Sequence, residues 1–202
     1  IPQASDFSIK FGNREIQITS FGQELFGRFN ITQINSADGT TTFWNGNGAT
    51  DGTQLVGFFE GLISEADQTG GGGLSFTGGH LEIFNVANGT YSPSTNPNTK
   101  DYLNQLCGGS ALCLANPWLT ANFVAGINDA LGPTGDATLQ AAFALTNVQA
   151  GFGYLSVTGG ANAAAFDTNG FSFTNFPNAD LFLRSNFVLA TPQTCFANNG
   201  WQ

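Results

Sequence analysis

The sequence predicts an all-β fold: a single large antiparallel β-sandwich, jelly-roll-like, with long Gly/Asn/Thr-rich loops and at most one or two short helices. Three observations carry this expectation. Phenylalanine and glycine are abundant, with 20 Phe and 27 Gly in 202 residues, enough aromatic surface for a core and enough glycine for many tight turns. Short apolar stretches recur, either alternating with polar residues or as brief unbroken runs, and turn residues separate them. The length suits one domain, since all-β sandwiches run to about 200–250 residues without splitting. Residues 1–12 are assigned to an N-terminal strand able to act as an inter-subunit donor strand, and residues 13–202 to the sandwich.

Phe7-Ser8-Ile9-Lys10-Phe11 alternates strictly, placing Phe7, Ile9 and Phe11 on one face of a strand, and Ile16-Gln17-Ile18 repeats the pattern after a Gly12-Asn13 turn. Leu25 to Ile34 reads as a longer strand, ended by Ser36-Ala37-Asp38-Gly39. Between Asp38 and Thr53 the composition is that of a loop, anchored by Phe43 and Trp44. Leu55 to Ile63 is a buried strand. Leu74-Ser75-Phe76 and Leu81 to Val86 are two short strands with a Thr77-Gly78-Gly79 turn between them. Pro93 and Pro97 exclude helix from the Asn88 to Asn98 excursion. Thr99 is placed as the cap of a short helix running to Leu106. Trp118–Ile127, Thr138–Val148, Phe152–Val157, Phe171–Phe173 and Leu181–Leu189 complete a set of about eleven strands. Leu74 to Gly79 and Leu155 to Gly160 echo one another, as two related β units or as recurring turn chemistry.

Five basic and fourteen acidic residues give a formal charge of −9. That field repels phosphate backbones and anionic lipid, so nucleic acid is not an expected partner. No stretch approaches the roughly eighteen apolar residues of a membrane-spanning helix. The chain begins at Ile1 and contains no Met, which reads as a mature form released from a signal peptide, with an extracellular or cell-surface location. Cys107 and Cys113 close a loop short enough for a local disulfide in an oxidising compartment, with a long-range bond from Cys195 as the competing pairing.

Chemistry-bearing residues are sparse. His80 is the only imidazole, stands without a nucleophile signature, and is assigned a structural or surface role. Glu60, Glu65, Asp67 and Glu82 are the carboxylates that a glycosidase-type pair would have to use, and no other feature supports hydrolysis. No cofactor is assigned; calcium is the one candidate ion, through the loops Asp38–Asp51 and Asp167-Thr168-Asn169-Gly170, where Asx turns explain the same residues without metal. Thr69 to Gly73 lacks the lysine of a phosphate cradle and reads as a linker. Asn30-Ile31-Thr32 and Asn88-Gly89-Thr90 match the glycosylation acceptor pattern.

Phe76-Thr77-Gly78-Gly79-His80-Leu81-Glu82-Ile83-Phe84, and Gly151 to Gly160 leading into Phe166-Asp167-Thr168-Asn169, resemble the flocculation-associated PEP-CTERM proteins secreted by Gram-negative bacteria. The resemblance extends to Phe26-Gly27-Arg28-Phe29, Trp44, Leu55 to Leu62 and Ala179-Asp180-Leu181, and so covers most of the chain. It implies export and a role in extracellular matrix, cell aggregation or biofilm. It carries over no catalytic residue, and the Pro-Glu-Pro sorting tail of that family does not follow Gln202. The expectation is a structural protein, not an enzyme, that associates with copies of itself into filaments by β-strand addition, with Phe7, Ile9 and Phe11 filling a neighbour's pockets. The alternative is a calcium-assisted polysaccharide-binding module using Trp44, Trp118 or Tyr154.

Overall fold

The computed structural model describes residues 7–15, 18, 20–36, 40–46, 52–66, 74–91, 99–126, 137–143, 148–170 and 178–188. Within them, nine antiparallel strands and three short helices follow in the order β1 (Phe7–Glu15), β2 (Glu24–Ser36), β3 (Thr42–Asn45), β4 (Thr53–Ala66), β5 (Leu74–Ala87), α1 (Tyr102–Cys107), α2 (Ala111–Leu114), β6 (Leu119–Phe123), β7 (Leu139–Phe143), β8 (Val148–Gly159), α3 (Ala163–Phe166) and β9 (Leu181–Val188). The all-β antiparallel expectation holds, with three short helices where one or two were expected.

All nine strands belong to one sheet. Its connections are those of a meander: β1 pairs β2, β2 pairs β4, β4 pairs β5 and β8 pairs β9. β3 continues along β2 next to the end of β4. β6 and β7 lie end to end, both flanked by β5 on one side and β8 on the other. Among the described residues β1, β9 and the short β3 each have one neighbour; β1 and β9 end the sheet, and β3 lies beside β2 in line with β4.

Period-two alternation sorts the side chains onto two faces. The inner face carries Phe29 and Ile31 from β2, Leu55 from β4, Ile83 from β5, Leu119 from β6 and Val157 from β8, which form one buried cluster with Phe166 of α3. A second cluster, built on Leu62, Phe76, Phe123, Leu139 and Leu155, joins it through Phe59, Leu81 and Leu181. The sheet thus curls around a continuous apolar face, a sandwich-like arrangement. The outer face of β4 and β5 carries Val56, Phe58, Phe84 and Val86, covered by Tyr102, Leu106 and Cys107 of α1.

Four expectations are corrected. Gly12-Asn13 makes no turn, because β1 runs through it and pairs with β2 as far as Glu15 opposite Gly27. Trp44 lies in β3, half-buried against the inner core, and a Cβ on Gly46 would strike its ring, so the segment is a short strand. Thr77-Gly78-Gly79 is likewise no turn: β5 is continuous from Leu74 to Ala87, paired with β4 over its whole length. Gly61, Gly78 and Gly79 have φ of +76°, +71° and +98°, conformations open to glycine, and they reset the alternation without breaking the ladder. The helix cap is Asp101, whose side chain accepts from the Asn104 N–H, while Thr99 Oγ1 accepts from Gln105 Nε2. Phe171–Phe173 and Thr69 to Gly73 lie outside the described residues.

Gly57 is the tightest inner-face contact between β2, β4 and β5. A Cβ there would press into the Glu82 carbonyl oxygen and lie 2.5 Å from Phe29 Cζ. Because both obstacles sit in the packed core, Gly57→Ala is expected to lower stability by about 1–3 kcal/mol in urea denaturation. Leu112→Ala, at a side chain 77% exposed, should stay within about 0.5 kcal/mol of the parent.

Candidate functional site

The polar residues of the fold converge where the glycine reset turns the β4–β5 ribbon. Glu60 of β4 stands directly opposite His80 of β5, and Phe58 opposite Glu82. All four lie on the outer face, beside the sheet residues covered by α1. Lys100, just ahead of α1, reaches down to this face. Its Nζ is 2.6 Å from Glu24 Oε1 on β2 and 3.0 Å from Glu60 Oε2, and 5.1 Å from the centre of the Phe26 ring. The Gly61 N–H, turned by its positive φ, donates to the same Glu24 oxygen at 2.8 Å. The Tyr102 hydroxyl donates to Glu60 Oε2 at 3.3 Å, and its ring stacks on Phe58 at 3.9 Å. His80 Nε2 is 3.5 Å from Glu60 Oε1, with its ring edge-on to Phe58.

Burial opposes the charge on Glu24, but the hydrogen bonds from Lys100 and the Gly61 N–H outweigh it and hold its carboxyl below the ordinary range. Burial also opposes the charge on Lys100, and its bonds to Glu24 and Glu60 raise its ammonium above the usual lysine value. Burial and the Glu60 charge push the Tyr102 hydroxyl far up, keeping it a neutral donor. Glu82 differs. Burial pushes its carboxyl above the ordinary glutamate value, with His80 pulling against that and Glu60 adding to it.

This cluster ties the disulfide-bonded α1–α2 hairpin to the sheet. Cys107 and Cys113 are bonded, with Cα atoms 5.7 Å apart, and closing so short a loop is worth about 2 kcal/mol by chain entropy. Sequence reasoning singled out Glu60, His80 and Glu82 one by one, but it missed Glu24, Lys100 and Tyr102. Seventy-six residues separate Glu24 from Lys100, and only the sheet order brings them together.

The other expected residues fall elsewhere. Ile9 and Phe11 pack against the inner core from β1, Phe11 edge-on to Phe29 at 6.0 Å, while Phe7 pairs with Ser36 at the strand's start. Trp118 also packs into the core, 5.4 Å from Phe166, so neither it nor Trp44 offers a free platform. Tyr154 does lie on the outer face, 5.0 Å from Phe182. Glu65 accepts from the Thr77 hydroxyl; Asp67 lies outside the described residues, as do both ends of the Asp38–Asp51 loop.

The Asp167–Gly170 loop is organised by a protein carboxylate. Asp180 accepts the Thr168 and Asn169 N–H groups on Oδ1 and the Val157 N–H on Oδ2, at 2.5–2.7 Å. Among the described residues no group of three or more His, Cys, Asp or Glu side chains is arranged to hold a metal ion, and no helix is long and apolar enough to cross a membrane. Compared with protein-family models, curated proteins and solved structures, the chain matches none.

The opposite shifts of Glu24 and Glu82 give a pH signature. A depressed Glu24 stabilises the fold when charged; that contribution is present above its ordinary value of 4.5 and is lost as pH falls through the folded value. A raised Glu82 opposes the fold when charged, and that opposition disappears once pH drops below the ordinary value of 4.5. Glu82→Gln is therefore expected to raise the urea midpoint at about pH 7 and to give no gain at about pH 3. A loss of stability at neutral pH would contradict this account of the site.

Proposed function

We propose that this protein is a secreted structural component of the extracellular matrix or cell surface, and that it associates with copies of itself by exchanging β1. The observation that carries this reading is the position of β1. It ends the sheet, bonds only to β2 among the described residues, and still sends Ile9 and Phe11 into the core. Such a strand can leave its own β2 and pair with a neighbour's without any new interface chemistry, because the same residues fill the same places.

Charge favours exchange over flush stacking of edges. β1 carries Lys10 and Arg14 with Glu15, and β9 carries Arg184 as its one charged residue, so both edge strands are net positive. Net charge of one sign on both edges opposes direct edge-to-edge addition, whereas exchange keeps each edge in its original setting. Elsewhere the chain is poor in charge, with 9% charged residues, so neighbouring copies meet little repulsion. The short-loop disulfide fits an oxidising compartment.

The experiment is a covalent lock. Lys10 and Gln33 stand directly opposite each other across β1 and β2, so Lys10→Cys with Gln33→Cys, in a Cys195→Ser background, fastens β1 at home. In light scattering over a concentration series and in negative-stain microscopy, the parent and both single-cysteine variants should assemble, and the oxidised double variant should remain monomeric. Unchanged assembly of the locked chain, or a parent that stays monomeric throughout, would overturn the proposal.

A further inference from the structure

Beyond the α1 anchor, the outer face of the sheet runs on across β5, β6, β8 and β9. The register sets Glu60, His80, Asn122 and Ser156 side by side on four adjacent strands. In the next row Glu82 faces Thr120, whose hydroxyl bonds that of Thr158 at 3.1 Å. At the far end Tyr154 lies directly opposite Phe182, which is 47% exposed. Inner-face neighbours on the same strands, Leu81, Ala121, Leu155 and Leu181, are apolar, so the polar character of these rows belongs to the outer face.

We propose that this face is a binding site for an extended polysaccharide bearing free amino groups. From β4 to β9 the rows span about 19 Å, four strand spacings, which suits a short run of sugar rings. Sugar recognition needs closely spaced hydroxyl, amide and carboxylate groups for the ring hydroxyls, and an aromatic face against the apolar side of a ring. Asn122, Ser156 and the Thr120–Thr158 pair supply the first, and Tyr154 with Phe182 the second.

Charge selects the class of polymer. Lys100 and His80 both turn to Glu60, and among the described residues Glu82 carries no ion pair. Burial and the Glu60 charge work against its carboxylate, so a ligand ammonium beside Glu82 would relieve that cost. An anionic polymer would meet two carboxylates on a chain of net charge −9. This site is separate from β1, and it stands whether or not the chain exchanges strands.

Calorimetric titration at about pH 6 tests it with three tetramers: β-1,4-linked glucosamine, its fully N-acetylated form, and galacturonate. The glucosamine tetramer should bind, the acetylated form about fivefold or more weakly, and the galacturonate not at all. Glu82→Gln should reduce the preference for the free amine, and Phe182→Ala should weaken both neutral and cationic binding. The urea midpoint of Glu82→Gln, measured alongside, separates a reduced preference from unfolding. Equal or tighter binding of the acetylated or anionic tetramer, no binding of the glucosamine tetramer at millimolar concentration, or an unchanged preference in Glu82→Gln would each overturn the proposal.

Discussion

The fold depends on how two long paired strands change facing without parting. β4 and β5 are each fourteen residues long and remain paired from Thr53 opposite Ala87 to Ala66 opposite Leu74. Strict alternation would put Leu62 outward, because Phe59, three residues earlier, faces the core. Yet both belong to the buried inner cluster. Positive φ at Gly61, Gly78 and Gly79 absorbs the extra residue on each strand. A Cβ on Gly79 would come within 2.5 Å of Leu62 Cδ2, so close packing and backbone conformation require glycine at the same point. The reset also turns the Gly61 N–H toward Glu24, which fixes the carboxylate that Lys100 binds.

The energetic weight of the α1 anchor lies in its apolar contacts. Lys100 is 38% exposed, and pairs so open to water contribute at most about 1 kcal/mol. The Phe58–Tyr102 stack and the burial of Leu106 and Cys107 on Val56 and Phe84 stabilise the hairpin more, since a fully buried side chain of leucine or phenylalanine size contributes about 1.5–3 kcal/mol. The ion pairs set where the hairpin sits. They draw Lys100 to Glu24 and Glu60, and so they help determine which part of the outer face is covered and which part stays open.

Local alternation made the strands legible in the sequence. Phe7 to Phe11 and Leu55 to Ile63 announce themselves because one face is apolar and the other is not, or because the run is short and rich in large side chains. The paired Cys107 and Cys113 were legible for a similar reason: six residues of separation leave little choice of partner. What misled was glycine. Gly78-Gly79 has the composition of a turn whether the chain reverses or, as here, only twists within a strand, and nothing in the neighbouring residues distinguishes the two. The strand Thr42–Asn45 was missed because Asn, Gly and Thr surround it, although Trp44 packs against the core as an anchor would. The site itself was illegible beyond single residues. Glu24, Glu60, His80, Lys100 and Tyr102 come from three strands, the approach to α1 and the first residue of α1, and their juxtaposition is a property of sheet order, which local pattern does not encode.

The two open features of the molecule lie on parts that do not compete. β1 is at one edge, and the polar rows run across the outer face of β4 to β9, toward the opposite edge. Exchange of β1 alters neither the register of β5 against β6 nor that of β6 against β8, so each subunit of an assembly would present the same rows in the same geometry. Repetition matters for a polymer ligand. On the proposed reading, one such face would bind a short oligosaccharide weakly, but once the first site is filled the next would bind the same polymer at an effective concentration set by the chain between them, and the product would exceed either affinity without a new contact. If β1 exchanges and the outer face binds as proposed, such an assembly would need no deep cleft to retain a polymer, since its copy number would supply the retention that a pocket supplies in an enzyme.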